Sequence, residues 1–506
     1  LEEALQTAEL SITNGISFIK DANSRAVDID INAIHTYKAN LDHDDVNLYF
    51  GSINNFLFDV ITGRRRKLPC RGDIDFILAG SPCQGFSVAN RTGHETLKSL
   101  SNSALVCTTL SAIDYYRPKY AILENVPSMA STRQYRGQSV NVSNQIMCCL
   151  IGMGYQCRCL LLDAWHFGAP QSRTRLFIEI AAPGCALPEI PYGSHAHPDN
   201  IKSRAVGKTA ANLRFAERDL DILTSFPPVR LEDFWGDLPR IGNGYLGVCI
   251  PFPEHKTYWT ANAKDRSIFS RIPLSEPFGK SRQARHPGYA EALQRGLIPK
   301  ARKLKHLPST VYDQRFVRVS ANGLAPTITC YMTPSSRVSG RVVHYYEARA
   351  FTNLEAKRAQ GFFDSDVLVG TASKVYRIVG NSVCRQVAFA LGGKLAEAVK
   401  KGPQGSGTGK VPQHAALLSS ESDKGRGHRV YMDSNPAKIM VLIEKKPGTG
   451  FAREKRKDNE EIRDILKENV RVDFSFKRTK DLVEVSMTST PRKRIRITLE
   501  ESDKDM

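Results

Sequence analysis

An α/β fold built on a mostly parallel sheet is what the sequence predicts, and three observations predict it. Apolar runs of strand length recur through the first 180 residues, segments with helical spacing stand between them, and residues 156–182 hold two strand-like runs with no helix between. Strands that alternate with helices form right-handed βαβ crossovers and hence a parallel sheet. Two strands joined by a short turn must pair antiparallel instead.

Taken in order, SRAVDID (24–30) reads as a strand and NAIHTYKANL (32–41) as a helix. IDFILAG (74–80) is apolar on both faces, as a strand in the middle of a parallel sheet has to be. SALVCTTLSAIDYY (103–116) spaces its apolar residues like a helix, and KYAILENV (119–126) is a second buried strand. QCRCLLLDAWHFGAPQSRTRLFIEIAA (156–182) is the antiparallel hairpin, turning through a Gly-Pro region. From Pro183 to about Arg315 the text is irregular and rich in Pro, Gly, Arg and aromatics, so 183–335 reads as an inserted domain. YEARAFTNLEAKRAQGF then reads as a helix and a turn. VYRIVGNSVCRQVAFALGGKLAEAVKK reads as a strand-like piece, a Gly-Asn turn and a long apolar helix. Residues 1–182 and 336–400 thus form one domain interrupted by the insert; 401–410 is a flexible linker, and 411–506 a charged module of unknown role.

A chain of 506 residues exceeds one ordinary core, which agrees with more than one domain. No run of about 18 apolar residues exists, so no membrane partner or membrane-spanning helix is expected. The opening LEEALQTAEL has neither a methionine nor a signal-peptide pattern, which predicts a processed or partial start. Eleven cysteines without CxxC pairs read as reduced thiols of a cytosolic or nuclear protein rather than a disulfide framework or zinc site. The formal charge is +19, and Lys264–Lys305 alone carries eleven Lys and Arg against three acids. Such clustering calls for an anionic partner, usually nucleic acid, over a merely solvated face.

Loops after successive parallel strands emerge at one carboxyl edge, where ligands bind. Cys83, in GSPCQGFS, follows strand 74–80, and Glu124 ends strand 119–126, so a thiol and a carboxyl group should share a cleft. The hairpin turn adds Gln171, Arg173 and Arg175. A thiolate can add to the electron-poor C6 of a pyrimidine if a protonated carboxyl group at N3 neutralises the charge that collects on the ring. The enamine so formed is nucleophilic at C5 and can take a methyl group from a sulfonium donor. Other readings of Cys83 stay open: a small buried hydrophobe, or a thiol hydrolase, which would want a histidine base such as His94.

GSPCQGFS, ENV, QSRTR and the later GNSV, in that order and at these separations, resemble the core motifs of the DNA (cytosine-5)-methyltransferases over roughly residues 1–400. The resemblance implies a Rossmann-like, S-adenosylmethionine-dependent methyltransferase sheet. Cys83 would be the nucleophile and Glu124 the N3 partner, while Arg173 and Arg175 would steady a flipped-out cytosine and nearby phosphates. Asp28 would bind the ribose hydroxyls of the cofactor and Ile29 its adenine. Ser52 and Ile53 stand beside the adenine, where the family usually has an acid and an apolar residue. Pro82 would stiffen the nucleophile loop beside the cofactor, and Asn381, Ser382 and Val383 would close on it. Double-stranded DNA is the implied partner, met by Gln84, Ser87 and Gln171 near the flipped base. Lys264, Arg266, Arg271, Lys280, Arg282 and Arg285, in a target-recognition domain, would meet its phosphates. The spacer ANRTGH and SNSALV look most like fungal-type nuclear members, which implies a nuclear protein with possible chromatin-associated partners through regions outside the catalytic domain. The family opens with a strand and a Gly-rich cofactor loop; LEEALQTAEL resembles only the helix that follows such a loop, and Gly15 comes late and alone. Two alternatives remain: a tRNA cytosine-5 methyltransferase, disfavoured by the long insert, and a catalytically silent nucleic-acid-binding relative.

Overall fold

Seven strands make the central sheet of the computed structural model: β1 (Ile16–Lys20), β2 (Asn23–Asp28), β3 (Asn47–Phe50), β4 (Phe76–Gly80), β5 (Tyr120–Asn125), β6 (Gln156–Asp163) and β7 (Thr174–Ala181). The residues described are 16–20, 23–40, 47–64, 68–82, 86, 97–135, 138–198, 201, 204–208, 214–218, 220, 224–242, 251–257, 269, 317–331, 333–334, 336, 339–402, 472–478, 486–489 and 495–501. Strand order is β3-β2-β1-β4-β5-β7-β6. β2 pairs parallel to β3 and β4 parallel to β5, whereas β7 runs antiparallel to both β5 and β6. The hairpin expected over 156–182 is therefore present, and it turns through a 3-10 segment, Ala164–Phe167.

β1 was not legible in the sequence, and its direction is unusual. It lies between β2 and β4 and runs antiparallel to both, with Ile16 opposite Val27 on one side and Ala79 on the other. The chain thus enters β1 at the carboxyl edge of the parallel strands and leaves it at the opposite edge. Ile16, Ser17 and Ile19 are buried, so the strand is part of the core.

Helices cover the sheet as the apolar spacing requires. They are α1 (Ile31–Ala39), α2 (Ile53–Thr62), α3 (Leu97–Tyr116) and α4 (Val142–Gly152), then α5 (Leu231–Trp235), α6 (Asn353–Ala359), α7 (Ala372–Asn381) and α8 (Arg385–Lys401). One core lies among α2, α3, α4 and the sheet, around Phe56, Leu57, Ile77, Leu110, Ile113, Tyr116 and Ile178. Leu391 and Leu395 of α8 close the other face, against Leu160 and Phe177 and against Phe76 and Tyr120.

Residues 375–379 correct one expectation. VYRIV is helical, the first half of a pair, α7 and α8, broken at Ser382–Cys384. Its β-branched content mimics a strand, but Val375, Tyr376, Ile378 and Val379 are all buried, the spacing of one helix face. Gly380, within α7, lets the backbone of 329–330 approach the helix closely: a Cβ there would stand 2.3 Å from the carbonyl carbon of Thr329 and 2.6 Å from the amide nitrogen of Cys330. In the tail, strands at Val472–Arg478, Ser486–Ser489 and Ile495–Glu501 pair into a three-stranded sheet. The expected linker begins within the end of α8, at Lys401 and its cap Gly402; its remainder, 403–410, and residues 1–15 lie outside the described residues.

Candidate functional site

The carboxyl edge of the sheet brings together what parallel pairing dictates. Gly80, the last residue of β4, stands in register with Glu124 of β5, and Glu124 is also opposite Phe177 of β7. Two residues beyond Gly80 comes Pro82, which is buried. Cys83, Gln84 and Ser87 lie outside the described residues, as do Lys264, Arg266, Arg271, Lys280, Arg282, Arg285 and His94.

Glu124 and Arg175 meet. Arg175 Nε lies 2.9 Å from Glu124 Oε1, with the two side chains only 15% and 12% exposed. The pairing follows from the hairpin: β7 returns beside β5, so a residue near its start reaches the end of β5. Arg175 also donates through Nη1 to the carbonyl of Thr174 at 2.9 Å.

Arg173 does not join that pair. It is buried, and its guanidinium donates to the carbonyls of Ile328 (2.8 Å), Gly380 (3.2 Å) and Ser382 (2.7 Å). Five guanidinium N–H donors in a fixed fork suit this use, tying the hairpin turn to two other segments, at 328 and at 380–382. Its expected role on a cytosine or phosphate is therefore corrected: the residue organises backbone behind the site. Gln171 is corrected likewise. It is fully buried, donates to the carbonyl of Ala359 and to Gln360 Oε1 at 2.8 and 2.6 Å, and accepts from the Ile328 amide. A side chain so enclosed does not face a nucleic acid.

At the other end of the same edge, Asp28 closes β2. The residue is 5% exposed, and its Oδ1 accepts from the Asp30 amide at 2.7 Å. The next residue, Ile29, is 68% exposed, and Phe50, at the end of the adjoining β3, is 58% exposed. Two large apolar side chains left in water beside a buried carboxylate suit a ligand with a flat apolar part and hydroxyl donors. An adenosine group has both, so these residues fit that half of the expected cofactor. Phe50 was missed because an isolated NLYF gives no signal of its own. Ser52 caps α2 by accepting from the Asn54 amide at 3.2 Å, and Ile53 begins that helix. Asp30 caps α1. Its carboxyl group is pushed up by burial, but the hydrogen bonds from Asn32 and the charges of Lys374 and Arg377 hold it, on balance, below the usual range.

The fit to an amino-acid half is poorer. A parallel strand turning into a helix would aim backbone N–H groups at this edge. β1 runs the other way, so no such turn follows it here. In the GNSV turn, Asn381 Oδ1 accepts from the Cys330 thiol. Ser382 is fully buried with Oγ donating to the Ile378 carbonyl at 2.8 Å. Val383 packs with Leu160, Leu162 and Phe167. The side chains of Ser382 and Val383 thus serve the interior, which corrects the expectation that they reach a cofactor. Among the described residues no group of three or more His, Cys, Asp or Glu is placed to hold a metal ion.

A family model described as C-5 cytosine-specific DNA methylase matches residues 15–213 and 253–397, more than half of the 506 residues. DNA (cytosine-5)-methyltransferase 1B of Oryza sativa subsp. japonica is 31% identical over 359 residues, 66% of this chain and 22% of that protein. DNA (cytosine-5)-methyltransferase 1 of Mus musculus is 34% identical over 401 residues, again 66% of this chain and 24% of the relative. The chain thus spans about a quarter of the length of these relatives. Among solved structures, the Entamoeba histolytica methyltransferase EhMeth aligns over 74% of this chain and 89% of its own, at 14% identity and a TM-score of 0.39. The match spans the strands that carry Asp28 and Glu124 as well as the closing helices, and the chain belongs to the C-5 cytosine-specific DNA methylase family.

Proposed function

We propose that this chain methylates C5 of cytosine in double-stranded DNA, with S-adenosylmethionine as the methyl donor and Cys83 as the nucleophile. One observation carries the reading: the Glu124–Arg175 pair sits directly opposite the strand end that leads into Cys83. The Cys83 thiolate adds to C6 of a base extruded from the stack, and Glu124, protonated at that moment, gives its proton to N3. Arg175 then lies beside the carboxylate that remains and stabilises its charge. S-adenosylmethionine supplies a methyl group on a positively charged sulfur. That methyl group would be taken up at C5 as the sulfur departs as a neutral thioether; the C5 proton would pass to solvent water, the C6–sulfur bond would break to return the Cys83 thiolate, and N3 would give its proton back to Glu124. Asp28 would accept from the ribose hydroxyls of that cofactor, and Ile29 and Phe50 would cover its adenine.

On this reading, residues 1–182 and 336–400 form the catalytic domain and 183–335 the target-recognition domain, with the basic run Lys264–Lys305 on DNA phosphates. The names of the relatives favour DNA over tRNA, and their eukaryotic sources favour the nucleus, where chromatin-associated partners would be met. A second reading, a nucleic-acid-binding relative that transfers nothing, draws on the reversed β1.

Covalent trapping separates the two. On duplex DNA carrying 5-fluorocytosine the C5 substituent cannot leave as a proton, so a transferring enzyme stays bonded to the base. A denaturation-resistant adduct is expected that requires both adenosylmethionine and Cys83 and is lost in Cys83→Ser. DNA binding without any adduct would support the silent reading.

A further inference from the structure

The loop that carries Cys83 is gripped on both sides by a single stretch of chain. Asn125 Nδ2 donates to the carbonyl of Ser81 at 3.2 Å, before the cysteine. Beyond it, Ser128 Oγ donates to the carbonyl of Phe86 at 2.7 Å, and Arg133 Nη2 donates to that same oxygen. Arg133 also donates to the carbonyl of Ser128 at 3.2 Å, and its guanidinium carbon lies 5.8 Å from the centre of the Phe86 ring. Phe86 is buried in the main core with Met129 and Ala130. The gripping stretch begins at the residue after Glu124. Acid and nucleophile loop are thereby referred to one short segment, 124–133.

A carbonyl oxygen has two lone pairs, and here both donors are side chains. Neither bond belongs to a helix or strand ladder, so neither is needed to build the sheet. What they fix is where the chain re-enters the core at Phe86, four residues after the buried Pro82. We propose, on the reading that Cys83 attacks cytosine, that Ser128 and Arg133 are positioning residues for the nucleophile. They anchor the far stem of its loop through the Phe86 carbonyl and so set the register of the thiol against the ring held by Glu124. A displacement of about 1 Å at a reacting atom can cost on the order of 100-fold in rate, so a clamp remote from the substrate has kinetic reach.

The test uses the full chain as Ser128→Ala, Ser128→Thr, Arg133→Ala and the Ser128→Ala/Arg133→Ala double variant, with two readouts. The first is single-turnover adduct formation on 5-fluorocytosine DNA, alongside affinity for S-adenosylhomocysteine and DNA and the thermal unfolding midpoint. The second, without DNA, is the rate at which iodoacetamide alkylates Cys83, followed by peptide mass spectrometry. Ser128→Ala is expected to slow adduct formation by roughly 10-fold, and the double variant by more, while both affinities stay within about 2-fold. Ser128→Thr, which keeps the hydroxyl, restores the rate, and Cys83 alkylation changes by about 3-fold or more in the double variant. Unchanged trapping in a folded double variant overturns the proposal. Should the parent chain form no adduct, the transfer reading fails by itself. Alkylation then decides whether the clamp holds the cysteine loop: a changed rate supports it, and an unchanged rate overturns it.

Discussion

Arg173 and Arg175 stand two residues apart in one motif, QSRTR, and the structure gives them opposite work. Arg175 faces Glu124 at 2.9 Å, while Arg173 spends its guanidinium on three backbone carbonyls. The motif was legible in the sequence, but this division was not, because it depends on acceptors more than 150 residues further along. Substitution by lysine separates the two. A compact ammonium group lacks the planar fork that spans carbonyls on two segments, so Arg173→Lys is expected to lower stability by about 2 kcal/mol, read as an earlier urea midpoint. Arg175→Lys keeps the charge beside Glu124 and is expected to leave that midpoint near the parent's while slowing adduct formation. Equal loss of stability in both would show that the pair has no such division.

Elements show where sequence reading ends. The βαβ rhythm, the strands into Cys83 and Glu124, and the closing hairpin were all legible, because long apolar runs leave a strand few alternatives. β3 was not: four residues at the sheet edge, outermost in the strand order, carry almost no pattern. β1 hid because ISFIK is short and its antiparallel place is decided by the slot between β2 and β4, not by its own composition. α7 was misread because its apolar residues are β-branched, and only burial of one face reveals the helical period. Gly380, in the last turn of this helix, gives a prediction at the same scale. In Gly380→Ala the new methyl group would collide with backbone at 329–330, which has no side-chain freedom to yield. A loss of about 1–3 kcal/mol is expected in chemical denaturation, with the α7–α8 break the first region to lose hydrogen-exchange protection.

Across the whole molecule, acid sensitivity should come from one buried cluster rather than from the surface. Arg349, enclosed, pairs with Glu347 at 2.7 Å and Glu355 at 2.6 Å, and Glu355 also accepts from the Thr352 amide in the capping box that starts α6. Burial opposes ionisation of Glu355, but the charge of Arg349 and these hydrogen bonds hold its pKa down to about 2. Burial pushes His344 down to about 3, and its Nδ1 accepts from the Tyr346 and Glu347 amides, which agrees with a neutral ring. Both folded values lie below the unfolded ones, so on acidification the unfolded chain takes up protons that the folded chain refuses. Stability is therefore expected to fall from about pH 6.5 as His344 is drawn on, at up to about 1.4 kcal/mol per pH unit, and more steeply below about pH 4.5 as Glu355 joins. Thermal unfolding midpoints between pH 7.5 and 4 measure this. In His344→Gln the decline between pH 6.5 and 4.5 should flatten, and an unaltered slope would remove the histidine from the account.

The three carbonyls that hold Arg173 also set an order of events. The sheet up to β7 can pair from residues 16–181 alone, but Ile328, Gly380 and Ser382 leave the ribosome long after Arg173 does. Since synthesis proceeds at about 5–20 residues per second, the guanidinium waits on the order of ten seconds or more for its last acceptor, through the making of the whole insert. During that interval the nascent sheet carries a cation that still lacks these three acceptors, in what will become its interior. Completion of the site is thus a late step in the life of the chain, and the interval is when a chaperone would find it most exposed.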